Sequence, residues 1–182
     1  MIKLLHFADA HIDMVNFGRH DPETGLPLRV VDFLKSLDFI VDTAIEEQVD
    51  LVLFAGDAYK DRSPAPTFQR EWGRRVMRLS RAGIQTLLLV GNHDLSPALG
   101  RANALESFDT LEVPHVRVVD RPMMLKPRDL DDLPVQVLAL PWIARSGMVA
   151  HLGLQAGKPN ELYEELEKRL TELLHYWLNE EV

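Results

Sequence analysis

A chain of 182 residues with 46% hydrophobic content is long enough for one sizeable core and too apolar for a disordered protein. Its net charge of −8, from 20 Lys and Arg against 28 Asp and Glu, excludes a protein that coats nucleic acid through a generally basic surface, so any contact with phosphates is local. The absence of cysteine excludes disulfides and thiolate metal sites, no stretch approaches the roughly 18 apolar residues of a membrane span, and "MIKLLHFAD" meets an acid too early for a signal peptide. A single-domain, cytoplasmic protein without membrane contact is expected.

Residues 2–8, 51–55 and 84–90 are short apolar runs bounded by polar residues or glycine, too continuous for strands with one wet face. Between the first two, Val30, Leu34, Leu37, Val41 and Ile45 recur at helical spacing; between the second and third, Phe68, Trp72, Val76 and Leu79 do the same, and Gly83 stands as a helix stop. The order strand, helix, strand, helix, strand predicts an α/β fold on a mostly parallel sheet, with ligands where the loops leave the carboxyl ends of the strands. Strands are also expected at 115–119 and 135–140. The segment 120–134 between them, with three prolines and four aspartates, reads as an exposed connection. The last segment predicts a helix with Asn160 as N-cap after Pro159, an apolar face of Leu162, Leu166, Leu170, Leu173 and Trp177, and the pairs Glu164–Lys168 and Glu165–Arg169.

The chemistry gathers at three strand ends. The first strand runs into Asp9-Ala10-His11, the second into Gly56-Asp57 and the third into Gly91-Asn92-His93-Asp94. Each stretch alone is as well explained by a turn or a cap. Parallel strands, however, place all three on one sheet edge, where two carboxylates, an amide and two imidazoles converge. Oxygen and imidazole donors without thiolate suit Mn, Fe, Mg or Zn. Asp57, from the middle of the three ends, is the natural bridge between two cations, which together activate water and hold phosphoryl oxygens for in-line displacement. The residues point to phosphoester hydrolysis.

These three motifs resemble those of the calcineurin-like metallophosphoesterases. The surrounding stretches "LLHFADAHID", "VDLVLFAGDAYKDRSPAP" and "TLLLVGNHDLSPALG" are most similar to the DNA double-strand-break repair nucleases of the SbcD kind, over about residues 1–142 including "VLALPW". The resemblance implies a metallophosphoesterase-type α-β-β-α sandwich and two divalent metal ions, Mn first among them. It implies Asp9 and His11 as ligands of one ion, Asp57 as bridge, Asn92 as ligand of the other, and His93 beside the leaving-group oxygen, oriented by Asp94 or Asp61. It further implies exonuclease action on DNA in repair, with endonuclease action as a further option, and an ABC-type coiled-coil ATPase as partner. The phosphatase branch carries "GDxxDR", whereas "GDAYKDR" here sets Asp61 four residues after Asp57.

The family completes its site with a later histidine and a Gly-His-x-His motif, which this chain lacks. His6, His20, His115, His151 and His175 stand in no such pattern and are read as structural or solvated. Residues 1–182 are therefore expected to be a metallophosphoesterase (nuclease) domain truncated before its last metal-binding motifs, with weakened metal binding, uncertain activity of its own, and a tendency to form a homodimer through exposed strand edges or the last helix. Arg70, Arg74, Arg78 and Arg81 form a stripe at i, i+4, i+8 and i+11, opposite Trp72 and Val76. With Arg62 before it, the stripe reads either as a solvated face or as a local phosphate track for DNA. Tyr59 and Trp142 are read as core or loop packing. The alternatives are a phosphatase or phosphodiesterase of small molecules or phosphoproteins, and a non-catalytic module retaining the fold.

Overall fold

The structure, a computed structural model, describes residues 1–15, 18–95, 101–143 and 159–181, the side chains of the last helix over 163–179. Strands β1 (Leu4–Phe7), β2 (Leu51–Phe54), β3 (Gln85–Leu89) and β4 (Val116–Val119) form a parallel sheet in the order β1-β2-β3-β4. Helix α1 (Leu28–Glu46) joins β1 to β2, α2 (Pro66–Arg81) joins β2 to β3, and the short α3 (Glu106–Thr110) precedes β4. When parallel strands follow one another in sequence order, right-handed crossovers place every connecting helix on the same face. The other face is left for a second layer.

Alternation along the strands records both layers. Phe54, Leu88, Val90 and Val118 point to one side and pack with Val30, Leu34 and Leu37 of α1 and Trp72 and Val76 of α2. Val52 joins Val41, Ala44 and Leu79 in an adjoining cluster on that side. Leu51, Leu87 and Val119 point the opposite way, onto Leu125, Leu130 and Ala139. Those belong to the hairpin-like pair β5 (Met123–Leu125) and β6 (Val137–Ala139), which are antiparallel, and to the turn between them. The layers are helices, parallel sheet, then a second small sheet, an α/β architecture of the kind expected.

The second sheet corrects the reading of 120–134 as an exposed connection. Met123 and Leu125 pair with Ala139 and Val137, a 3-10 turn follows at Pro127–Asp129, and Leu125 and Leu130 are fully buried. The prolines and aspartates shape the turns between apolar anchors. Asp129, for instance, accepts the Lys126 N–H at 3.0 Å.

Helix α4 (Pro159–Tyr176) runs into a π-helical turn at Trp177–Glu181. Trp177 is buried, Leu166, Leu170 and Leu173 are half-buried, and Glu165 accepts Arg169 Nε–H at 2.7 Å. The side chains of Asn160 and Leu162, and all of His151, lie outside the described residues. Among the described residues no helix is long and apolar enough to cross a membrane.

Three arginines of the α2 stripe, Arg70, Arg74 and Arg78, are ion-paired, while Arg70 and Arg74 stay more than half exposed, as a solvated face would. Arg70 and Arg74 both bind Glu71 Oε1 at 3.0 Å. Arg78 engages Asp38 at 3.2 Å and also Asp42, and the half-buried Arg75 spans Asp38 at 2.6 Å and Glu71 at 3.2 Å. Four guanidiniums thus meet three carboxylates across the α1–α2 contact. The sequence spacing could not show this because two of the carboxylates come from α1.

Burial pushes the Glu71 carboxyl up, but hydrogen bonds from Arg70 and Arg75 and the charge of Arg74 outweigh it, and the group sits below its ordinary value of 4.5. A carboxylate depressed in the folded state stabilises the fold at pH above its unfolded value, and that stabilisation is lost as pH falls through the folded value. Glu71→Gln is therefore expected to cost about 2 kcal/mol near neutral pH, mostly by leaving Arg75 half-partnered. It should also flatten the loss of stability below about pH 4.5. Urea denaturation across pH 3 to 7 reads both effects.

Candidate metal centre

The sheet order puts the ends of β1, β2 and β3 side by side, with β2 in the middle. Pairing continues past the strands. The Asp9 N–H donates to the Gly56 carbonyl at 3.0 Å, the His11 N–H to the Asp57 carbonyl at 3.2 Å and the Ile12 N–H to the Ala58 carbonyl at 3.1 Å. The loop carrying the first motif is thereby zipped to the loop carrying the second. One ligand atom each of Asp9, His11 and Asp57 falls within 4.8 Å of the others. Donors around a single hard cation at about 2.1 Å stand roughly 3 to 4 Å apart, so this cluster is within a small adjustment of holding one.

All three residues have positive φ, at 54° for Asp9, 39° for His11 and 65° for Asp57. Side chains other than glycine rarely adopt this conformation, and it persists where the surrounding structure imposes it. Here it turns three side chains off the strand direction toward one point. His11 Nε2 stands 3.5 Å from Asp9 Oδ1. Its Nδ1 is buried without a hydrogen-bond partner among the described residues, as fits an imidazole whose orientation serves a ligand. The two oxygens and one imidazole nitrogen fit a hard or borderline divalent cation.

The third strand end reaches the same place by a close backbone contact. Gly56, at φ 99°, lies so near Gly91 that a Cβ would come within 2.7 Å of the Gly91 Cα. A Cβ on Gly91 would stand 2.5 Å from the Asp57 nitrogen and overlap its carboxylate. Both glycines are there because the two loops touch. Gly91→Ala is expected to cost about 2 kcal/mol of stability through overpacking and to weaken binding of Mn by displacing Asp57. Urea denaturation and calorimetric titration check the two effects.

Asn92 lines, with Asp9 and Asp57, a cavity of about 400 Å³ whose apolar wall includes Trp142, Leu166 and Leu170. Of the two placements expected for Trp142, core or loop, the structure gives the loop, with the side chain 58% exposed. Tyr59 is buried as expected, and burial together with the charges of Asp94 and Asp13 pushes its phenol far above the ordinary range, so it stays neutral.

His93 stands edge-on to His11, with ring centroids 5.2 Å apart at 89°. Its backbone N–H donates to Asp57 Oδ1 at 2.9 Å, and its Nδ1 lies 2.7 Å from the Lys60 carbonyl oxygen. A carbonyl only accepts, so Nδ1 carries the proton and Nε2 is left open. This corrects the expected roles of Asp94 and Asp61. Asp94 is fully buried and accepts three backbone N–H groups, from Asp57 at 2.8 Å, Gly91 at 2.9 Å and Ala58 at 3.0 Å. Burial pushes its carboxyl up against the pull of those donors, and the neighbouring Asp57 charge adds to the rise. Asp61 Oδ1 accepts the Ser63 N–H at 2.9 Å. Asp94 therefore shapes the loops, and the His93 ring rests on a main-chain carbonyl.

Sequence reasoning missed Lys60, Asp13 and the Gly56–Gly91 contact. Lys60 acts by its main chain, which no residue type reveals. Asp13, two residues after His11, was within sight of the first motif. Of the predicted basic residues, Arg62 lines a cleft together with Lys60, Ser63 and His93, whereas Arg70, Arg74 and Arg78 belong to the α1–α2 ion-pair cluster.

A profile of the calcineurin-like phosphoesterases matches residues 2–175. The DNA double-strand break repair protein Mre11 of Halobacterium salinarum is 33% identical over 111 residues, which are 61% of this chain and 26% of that protein. One of the subunits of the nuclease SbcCD of Escherichia coli is 26% identical over 107 residues, 59% of this chain and 25% of that protein. The matched stretches thus span about a quarter of the length of these curated relatives. The solved structure of Pseudomonas putida nuclease MPE is similar at a TM-score of 0.40 and 21% identity, over 68% of this chain and 50% of that one. By the family profile, the chain belongs to the calcineurin-like phosphoesterases.

Proposed function

We propose that this chain carries the metal-binding core of a divalent-metal-dependent phosphodiesterase that acts on DNA. The observation that carries the reading is the convergence of Asp9, His11 and Asp57, on strained backbone, with Asn92 and His93 beside them. Asp9, His11 and Asp57 would hold one ion, and Asp57 with Asn92 a second, Mn being the first candidate. Such ions supply charge neutralisation and water activation for in-line displacement at phosphorus.

The chain's own residues do the rest. With Nδ1–H held by the Lys60 carbonyl, His93 can take a second proton on Nε2 and, as the imidazolium, stands beside the triad as proton donor to the departing oxygen. Arg62 and Lys60 flank it on a cleft able to take a phosphate-bearing strand. DNA as substrate is supported by similarity to Mre11 and to the SbcCD nuclease over the motif-bearing part of the chain. An ABC-type ATPase partner rests on the resemblance read from the sequence motifs.

The test is Mn-dependent hydrolysis of a linear duplex DNA beside that of an aryl phosphomonoester, by this chain and by a version extended at its C-terminus. Degradation of DNA by the extended version supports the reading. Hydrolysis of the monoester alone would favour a small-molecule phosphatase.

A further inference from the structure

The open question at the site is what holds His93, since neither Asp94 nor Asp61 reaches its ring. The ring's acceptor is the Lys60 carbonyl, at 2.7 Å from Nδ1. That carbonyl belongs to the Lys60–Asp61 peptide unit, whose N–H donates to Asp13 Oδ2 at 3.0 Å. The other oxygen of the same carboxylate, Asp13 Oδ1, accepts the Lys60 N–H at 2.5 Å. One carboxylate thus grips two successive backbone donors, and the second lies on the peptide that receives the imidazole.

We infer that Asp13 is a positioning residue for His93, acting through the Lys60–Asp61 peptide: carboxylate to N–H, carbonyl to Nδ1–H. Hydrogen bonds in series polarise one another, so the negative charge of Asp13 makes the Lys60 oxygen a stronger acceptor and favours the Nδ1–H form of His93. Nε2 is then the position that takes and gives up the second proton, and as the imidazolium the ring donates it toward the departing oxygen. A carboxylate beside a catalytic imidazole usually bonds it directly; here a peptide unit is interposed. Asp13 is itself held in place, because the preceding Ile12 is fully buried and its N–H is bonded to the Ala58 carbonyl at 3.1 Å. The other nearby carboxylates are engaged elsewhere, Asp61 with Ser63 and Asp94 with three backbone donors.

The role assigned to Asp13 rests on the reading of His93 as part of a phosphodiesterase site, but its geometry can be tested without metal or DNA. In the 182-residue chain, nitrogen NMR of the His93 ring should show the Nδ1–H tautomer, and the Lys60 and Asp61 amides should be protected from hydrogen exchange. Asp13→Ala should release the ring to a mixture of tautomers and speed exchange of both amides by about tenfold or more. Asp13→Asn, which keeps one acceptor oxygen and preserves the fold should the alanine variant fail, should give an intermediate result. Asp13→Glu should restore part of the wild-type tautomer. Asp61→Asn should leave the His93 tautomer unchanged.

In an extended, active version, Asp13→Asn should lower kcat on the order of tenfold, with KM and metal affinity unaltered. Unchanged tautomer and exchange in folded Asp13→Ala and Asp13→Asn would overturn the inference. So would a shifted tautomer with unaltered kcat. If the ring and amides respond as expected but no version hydrolyses a phosphodiester, the proposed function fails and the Asp13 linkage stands.

Discussion

Replacing Asp57 with alanine in the C-terminally extended protein is expected to lower Mn-dependent hydrolysis of duplex DNA by about three orders of magnitude, equivalent to roughly 4 kcal/mol of transition-state stabilisation. Two losses combine. The carboxylate is one corner of the Asp9, His11, Asp57 cluster and the one placed between the outer two strand ends. Its Oδ1 also accepts the His93 N–H at 2.9 Å, so the same substitution frees the backbone that carries the imidazole. Calorimetric titration of Mn into Asp57→Ala should show the high-affinity binding of the parent abolished, while circular dichroism shows the sheet retained. Wild-type turnover by Asp57→Ala would remove the metal centre from the mechanism.

Asp94→Ala is expected to have the largest effect on stability, about 4 kcal/mol, because it strips the acceptor from three backbone N–H groups at once, two of which belong to the Asp57 loop. Asp94→Asn should be milder in volume yet still costly, since an amide offers one acceptor oxygen where the carboxylate offers two. Urea denaturation measures the loss, and Mn titration at a temperature where the variant remains folded should show weakened binding. A stability change below about 0.5 kcal/mol would mean that water replaces the carboxylate, and that Asp94 does not hold the two loops together.

The two substitutions divide the site by function. Asp57 is placed to act on ligand, whereas Asp94, from a neighbouring position in the same turn as His93, is buried beneath it. Both are aspartates in loops after strands, and residue type alone cannot separate them. Burial and the direction of the carboxylate do.

Much of this was legible in the chain itself. Continuous apolar runs at 51–55 and 84–90 are strands covered on both faces, and the stripes of Val30, Leu34, Leu37 and Val41 and of Trp72, Val76 and Leu79 are the buried faces of α1 and α2. Polar residues at three successive strand ends could be assigned to one edge because parallel connection leaves no other arrangement. Those readings rest on periodicity and connection, which are local or nearly so.

The remainder was decided by contacts between residues distant in sequence. Met123 and Leu125 became a strand because 137–139 lay alongside to pair with them. Arg70, Arg74, Arg75 and Arg78 of α2 are paired with Asp38 and Asp42 on α1 and with Glu71 on their own helix. The His93 ring found the Lys60 carbonyl, and that peptide found Asp13. Sequence determined which groups were available at the sheet edge, since side-chain chemistry and strand order are written in it. Only the tertiary structure decided which donor meets which acceptor, because a hydrogen bond is settled within a few tenths of an ångström and main-chain groups carry no residue label.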